Sequence, residues 1–251
     1  MELNICHLYP DILNLYGDRG NVLCMRKRLG WRGIDANVEE VSIGQKLEAS
    51  KYDLLFIGGG QDFEQEVLMP DLRGEKTQEL ISAIEDELPV LAICGGYQML
   101  GRTVSDPEHV EAAGVTEING LGLLEMDTEF RGEKVQTQTR GVFYGVEGML
   151  SGLNGLAYEG YEIHMGRSQQ QMPALTGSRN VYGSYVHGIF GAPGITDTIL
   201  KALCARKGVS FDALATFDAC GYKERQYDLL ADVVRGGLDM SFVYRVLRRE
   251  V

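Results

Sequence analysis

The chain has 251 residues, 44% of them hydrophobic, enough to build the core of one large or two small globular domains. Its net charge of -12 argues against a general nucleic-acid binder, because neutralising phosphates takes clustered Lys and Arg. No apolar run reaches the roughly 18 to 20 residues that cross a bilayer, and the opening MELNICHLYP lacks the basic flank and long apolar stretch of a signal peptide, so a cytoplasmic location is expected.

The first hundred residues alternate between strand-like and helix-like stretches, the rhythm of a parallel sheet covered on both faces. LNICHL reads as a first strand. NVLCMRKRLGWRG reads as a helix with Val22, Leu23, Met25 and Leu29 available for one face, and IDANVEEV as a second strand. YDLLFIGGG is a buried strand running into a glycine turn. EKTQELISAIEDEL places Leu80, Ile81, Ile84 and Leu88 at amphipathic helical spacing, and PVLAIC returns the chain to the sheet.

Beyond residue 101 the segments shorten and glycines punctuate them: GLGLLEMDTEF, KVQTQTRGVFYG, LAYEGYEIHMG and NVYGSYVHGIFG. These predict a mixed or partly antiparallel sheet region. ITDTILKALCARKG predicts a helix with Thr196 as its cap, and YKERQYDLLADVVRGGL and SFVYRVLRRE predict two more. The basic end YRVLRREV complements a helix dipole. The whole reads as one α/β domain over 1–251, with a mostly parallel central sheet flanked by helices and a helical end from about residue 196.

Five scattered cysteines, Cys6, Cys24, Cys94, Cys204 and Cys220, include no C-x-x-C pair that would suggest zinc or a redox centre, and no metal site is expected. Cys94 stands apart. It follows a buried strand and precedes Gly95, Gly96 and a short helix, the order of a nucleophile elbow, in which small neighbours tolerate a strained turn that projects the central side chain. A helix N-terminus also favours thiolate. A core cysteine at a strand end is the plainer alternative, and the flanking glycines count against it.

A thiolate nucleophile needs an imidazole to take and return protons. His187 ends the strand-like NVYGSYVHG, where loops gather above strand ends, and His164 in YEIHMGRS is the competing base. His109, in a polar stretch, and His7, in the first strand, rank lower. The turn IGGGQDFEQ leaves backbone N–H groups free to approach a ligand as an oxyanion hole or anion nest; it matches neither G-x-G-x-x-G nor a phosphate loop.

The ordered set of strand, GGG turn, helix, strand, I-C-G-G-Y-Q elbow and late Y-V-H-G resembles the class I (triad) glutamine amidotransferases. ICGGYQMLG, MDTEFRGEKVQ, GYEIHMGRS and YVHGIF resemble the cobyric acid synthase branch, and LYPDILNLYGDRGNVLCMRKRLGWRGI looks like the start of the glutaminase subunit family of lipid II isoglutaminyl synthase. The resemblance implies the class I amidotransferase fold, with Cys94 attacking the side-chain amide of glutamine and His187 handling the protons. It implies an oxyanion hole from the backbone of Gly95 and of Gly59 or Gly60, and a glutamine pocket shaped by Gln98 and Lys134. Read on their own, Gln98 serves equally as a packing residue and Lys134 as a solvated surface lysine.

The resemblance further implies a glutaminase that feeds ammonia to a separate Mur-ligase-like synthetase subunit, which amidates the D-glutamate of lipid II in peptidoglycan biosynthesis. ATP and Mg²⁺ would belong to that partner, with no cofactor in this chain. The absence of a synthetase domain ahead of the first strand agrees with a freestanding glutaminase. A corrinoid or other cofactor pathway, and a catalytically silent binding member of the fold, are the alternatives. One feature departs from the family: the acid commonly found two residues after the histidine is replaced by Ile189. The sequence leaves open a Cys–His dyad or an acid from elsewhere, including the partner subunit; in that last case the isolated chain would be weakly active. Asp18 and Arg19, in the glycine-flanked YGDRGN loop, are read as partner contacts, active-site neighbours or plain loop charges.

Overall fold

Two short apolar runs anchor the sheet. Leu54–Ile57 (β3) and Val90–Ile93 (β4) are buried at every position, as parallel strands covered on both faces must be. With Glu2–Leu8 (β1), Asp35–Val41 (β2), Thr176–Ser178 (β9) and Val181–Ser184 (β10) they form a six-stranded sheet in the order β2-β1-β3-β4-β10-β9, parallel throughout except for β9. The computed structural model describes residues 1–110, 116–168 and 174–250. Because β1, β3, β4 and β10 run the same way, the loops after all four emerge at one edge, the position where ligands meet open α/β sheets.

Helix α1 (Arg19–Trp31) buries Val22, Met25 and Leu29, whereas Leu23 is exposed, as its one-residue offset from Val22 dictates. Sequence reading passed over α2 (Asp62–Leu72): it carries Pro70 inside it and starts directly from the glycine turn, with Gln61 and Glu64 forming a capping box. In α3 (Glu75–Glu85), Leu80, Ala83 and Ile84 face the core; Leu88 is buried just beyond the helix end. The six-residue α4 (Gly95–Leu100) is buried throughout.

Most of the mixed or partly antiparallel region expected after residue 101 is a second sheet, whereas Val181–Ser184 from that stretch pairs in parallel with β4 of the first. The second sheet consists of Thr103–Ser105 (β5), Glu117–Asn119 (β6), Asp127–Val142 (β7) and Ala157–Ser168 (β8) in the order β6-β5-β7-β8, with β7 and β8 antiparallel and their register shifting between Phe130 and Val135. An isolated antiparallel bridge from Tyr161 to His187 ties β8 to the loop after β10.

The helical end divides differently from the expectation of one domain. Helix α5 (Pro193–Arg206) buries Ile195, Ile199, Leu200 and Leu203 and belongs with the sheet in a compact unit, Met1–Ala215. Thr196 does not cap it: its hydroxyl, buried inside the helix, donates to the Phe190 carbonyl. Thr216–Val251 is a second unit holding α6 (Ala219–Gly237) and α7 (Met240–Leu247). Asp218 and Asp239 cap these helices, accepting from Gly221 N at 2.8 Å and Phe242 N at 3.0 Å. Leu229, Leu230, Val233, Phe242 and Leu247 are exposed there. Among the described residues no helix is long and apolar enough to cross a membrane.

His7 on β1 is buried against Phe56, and its Nε2 has no hydrogen-bond partner among the described residues. Burial pushes its pKa down from 6.5 to about 4, so the folded chain holds it neutral. The unfolded chain protonates first as pH falls, so stability should decline from about pH 6.5 to about pH 4, by up to about 3 kcal/mol, and flatten below. Urea unfolding across that range should show a shallower decline for His7→Leu than for the wild type; equal slopes would contradict the assignment.

Candidate active site

Cys94 sits where β4 gives way to α4, with φ 50° and ψ -110°. A non-glycine residue there costs on the order of 1–3 kcal/mol, and the turn is over-determined by its neighbours. Cys94 N donates to Ser184 O at 2.8 Å, Gln98 N to Cys94 O at 2.9 Å, and Gly96 N to Gly58 O at 3.1 Å. The glycines are required by close approach: a Cβ on Gly95 would lie 2.5 Å from Gly60 O, and one on Gly96 would lie 2.6 Å from Gly58 O. The elbow and the triple-glycine turn after β3 thus pack backbone against backbone.

Three side chains meet over Gly59. A Cβ there would lie 3.0 Å from Cys94 Cβ, 3.3 Å from His187 Cε1 and 2.9 Å from Asp18 Oδ2. His187 is wholly buried, and its Nδ1 lies 2.9 Å from Asp18 Oδ1. An ionised carboxylate only accepts, so Nδ1 carries the proton and Nε2 presents its lone pair. Nε2 is buried with no hydrogen-bond partner among the described residues, an unsatisfied acceptor beside the thiol-bearing turn. The other Asp18 oxygen accepts from Gly59 N at 2.9 Å. Cys94 Sγ contacts the Ile163 carbonyl at 3.7 Å.

A carboxylate therefore reaches His187 from within this chain, which matches the open alternative of an acid from elsewhere and does not call on a partner subunit for it. Asp18 precedes α1 and is buried, in contrast to the exposed Arg19 beside it, which pairs with Glu40 at 2.7 Å. The loop after β1 reaches the site because it packs on the glycine turn: Leu15 N donates to Gly59 O at 3.4 Å, and a Cβ on Gly58 would lie 2.1 Å from Leu13 O. Sequence reading missed the link because 169 residues separate Asp18 from His187; the glycines flanking the loop were its only local signal.

A small pocket open to solvent lies above Cys94, lined by Tyr16, Gly60, Gln61, Cys94, Gln98, Phe130, Ile163, His164 and Met165. Gln98 is buried in the wall, its Oε1 accepting from Gln65 Nε2 at 2.7 Å and its Nε2 donating to Tyr185 OH at 3.1 Å. Gly59 N is committed to Asp18, so of the two expected oxyanion donors in the turn, Gly60 is the one beside Gly95. Lys134 is exposed, falls within the register shift of β7 and is absent from the pocket lining, where Phe130 of the same strand is found.

His164 lines the pocket, but its ring is otherwise engaged. Nδ1 lies 2.8 Å from Gly166 O, Nε2 lies 3.2 Å from Glu162 Oε2, and the ring stacks on Tyr185 at 4.0 Å. The hydrogen bond from His164 holds the Glu162 carboxyl below its usual range, so it stays an acceptor. His187, with one free lone pair and an orienting carboxylate, has the geometry of a general base, whereas His164 has that of a wall residue. His7 and His109 are absent from the pocket lining. Among the described residues no group of His, Cys, Asp or Glu could hold a metal ion.

Elbow cysteine, buried histidine and orienting aspartate at the C-terminal edge of a parallel sheet define a chain of the class I glutamine amidotransferase type. Residues 4–194 match the CobB/CobQ-like glutamine amidotransferase domain, and the chain belongs to that family. It is 37% identical to a cobyric acid synthase of Lachnoclostridium phytofermentans over 86% of this chain and 46% of that protein. It is 35% identical to the subunit GatD of the glutamine-hydrolyzing lipid II isoglutaminyl synthase of Staphylococcus aureus, over 84% of this chain and 88% of that protein. The chain thus spans less than half the length of the cobyric acid synthase. In fold it resembles the structure of PurLQS from Thermotoga maritima, with a TM-score of 0.52 at 15% identity, over 82% of this chain and 99% of that one.

Removing the Asp18 carboxylate leaves His187 Nδ1 and Gly59 N as buried donors without an acceptor, at about 1–3 kcal/mol each. Asp18→Ala should therefore lower unfolding stability by about 2–6 kcal/mol in urea titration. A loss below about 0.5 kcal/mol would show that the buried bonds are not formed.

Proposed function

We propose that the chain hydrolyses L-glutamine to glutamate and ammonia. The observation that carries this reading is the convergence of Cys94, His187 and Asp18 over Gly59. Cys94 Sγ adds to the side-chain amide carbon as its proton passes to His187 Nε2, and the amide oxygen gains negative charge beside the Gly60 and Gly95 amides. His187 returns the proton to the departing nitrogen, which leaves as ammonia from a glutamyl thioester. A water that gives its proton to His187 then attacks the thioester, and glutamate leaves as Cys94 recovers its hydrogen. Asp18 holds the tautomer and offsets the positive charge on the ring at each half-step. Gln98, fixed by Gln65 and Tyr185, shapes the wall against which glutamine lies.

The ammonia serves an ATP-dependent, Mur-ligase-like synthetase subunit that amidates the D-glutamate of lipid II, in a cytoplasmic heterodimer; ATP and Mg²⁺ are held by that partner. Support comes from the N-terminal stretch LYPDILNLYGDRGN and from the similarity to GatD over most of that subunit's length. The exposed apolar side chains of α6 and α7 offer surface of the kind protein partners cover. A corrinoid pathway is the second reading, favoured by the 37% identity to a cobyric acid synthase. With Asp18 as the acid of the triad, the isolated chain is active without the partner, in place of the weak activity expected if a partner supplied that acid.

Acid-quenching the chain with glutamine should trap a glutamyl adduct on the Cys94 peptide, and Cys94→Ala should lose ammonia release by a factor of at least about 10³. Retained hydrolysis in Cys94→Ala would refute the nucleophile. The chain mixed with a Mur-ligase-like synthetase, ATP, Mg²⁺, glutamine and lipid II should yield amidated lipid II; transfer only to a corrinoid acid with its own synthetase would decide for the second reading.

A further inference from the structure

His187 lies between two aromatic side chains from different parts of the chain. Tyr161 of β8 stacks on its ring at 5.2 Å with an interplanar angle of 15°, and Tyr16 meets it edge-on at 5.1 Å. The backbone of Tyr161 grips the same residue: His187 N donates to Tyr161 O at 2.8 Å, and Tyr161 N donates to His187 O at 3.2 Å. This approach depends on Gly160, where a Cβ would lie 2.4 Å from His187 O. The phenol of Tyr161 then donates to Tyr16 O at 2.8 Å, two residues before Asp18. One side chain therefore touches both the base and the segment that carries its acid, across 145 residues of sequence. Burial, with a smaller contribution from the Asp18 charge, pushes the phenol's pKa up, so it remains a donor over the working pH range.

We propose that Tyr161 is a positioning residue for glutamine hydrolysis, clamping the His187 ring by stacking and fixing the Asp18 loop through its hydroxyl. This rests on the hydrolase reading above. An imidazole rotates readily about its terminal torsion, and a small misplacement of a proton-transfer group costs rate more than substrate binding. The second sheet thereby has a catalytic consequence: β8 reaches His187 through Tyr161 and Cys94 through the Ile163 carbonyl.

The test compares wild type, Tyr161→Phe, Asp18→Asn and the double variant, each checked for folding by circular dichroism. Tyr161→Phe keeps the ring and the backbone bridge and removes only the hydroxyl. It should lower kcat about 3- to 10-fold with KM within about twofold, and add less than about twofold when Asp18 is already Asn. Peptide-resolved alkylation of Cys94 by iodoacetamide should shift its pH midpoint upward in both single variants, because a less firmly held imidazole takes the thiol proton less readily. A wild-type kcat and alkylation midpoint in Tyr161→Phe, or effects that multiply in the double variant, would overturn the proposal. Alkylation needs no glutamine, so a shifted midpoint in a chain that leaves glutamine intact would sink the hydrolase reading and leave the clamp standing.

Discussion

Everything at the site depends on how closely the side chains of Asp18, Cys94 and His187 approach the Gly59 backbone. The turn after β3 is pressed between the elbow that carries Cys94 and the loop that carries Asp18, with 2.9–3.3 Å between a hypothetical Cβ and all three catalytic candidates. A side chain there would drive the candidates apart. With hydrogen in its place, the Gly59 amide becomes part of the machinery, holding Asp18 Oδ2 while Oδ1 orients His187. The same bond occupies the Gly59 N–H, whereas Gly60 N lies close to Gly95.

The consequences spread outward along covalent and hydrogen-bonded paths. Strained Cys94 is tied to β10 through Ser184 O, and the next residues of that segment lead to His187. His187 is tied in turn to β8, whose partner strand β7 contributes Phe130 to the pocket. Gln98 continues the chain of contacts through Tyr185, which stacks on His164. The site is thus assembled from both sheets. Among the described residues, the buried side-chain polar atoms at the site without a hydrogen-bond partner are His187 Nε2 and Gln65 Oε1 behind Gln98.

The sheet was legible because its strands are short apolar runs bounded by glycine or proline, and LLFI and VLAI can hardly be anything else. Cys94 was legible because an elbow is a local device, with its glycines adjacent in sequence. His187 competed with His164 on position alone, and the Y-V-H-G resemblance singled it out. Asp18 was not legible as an orienting acid: its partner is 169 residues away, and a charge between glycines in a loop has no periodicity to betray burial. Lys134, suggested for the pocket by the family pattern, is exposed and falls within the register shift of β7, which matches its plainer reading as a surface lysine. The separation of residues 216–251 was hidden because a helical pattern reports an apolar face and not what covers it.

The central claim is that this chain carries its own complete Cys94–His187–Asp18 constellation. Steady-state glutamine hydrolysis by the purified chain without any synthetase, wild type against Asp18→Asn, tests it most directly. The account predicts measurable turnover by the wild type and a fall in kcat of about 10²-fold or more in the variant, with KM little changed, since only the tautomer and the imidazolium are affected. An inactive wild-type chain that gains full activity on adding the partner, or an Asp18→Asn variant as fast as wild type, would contradict it.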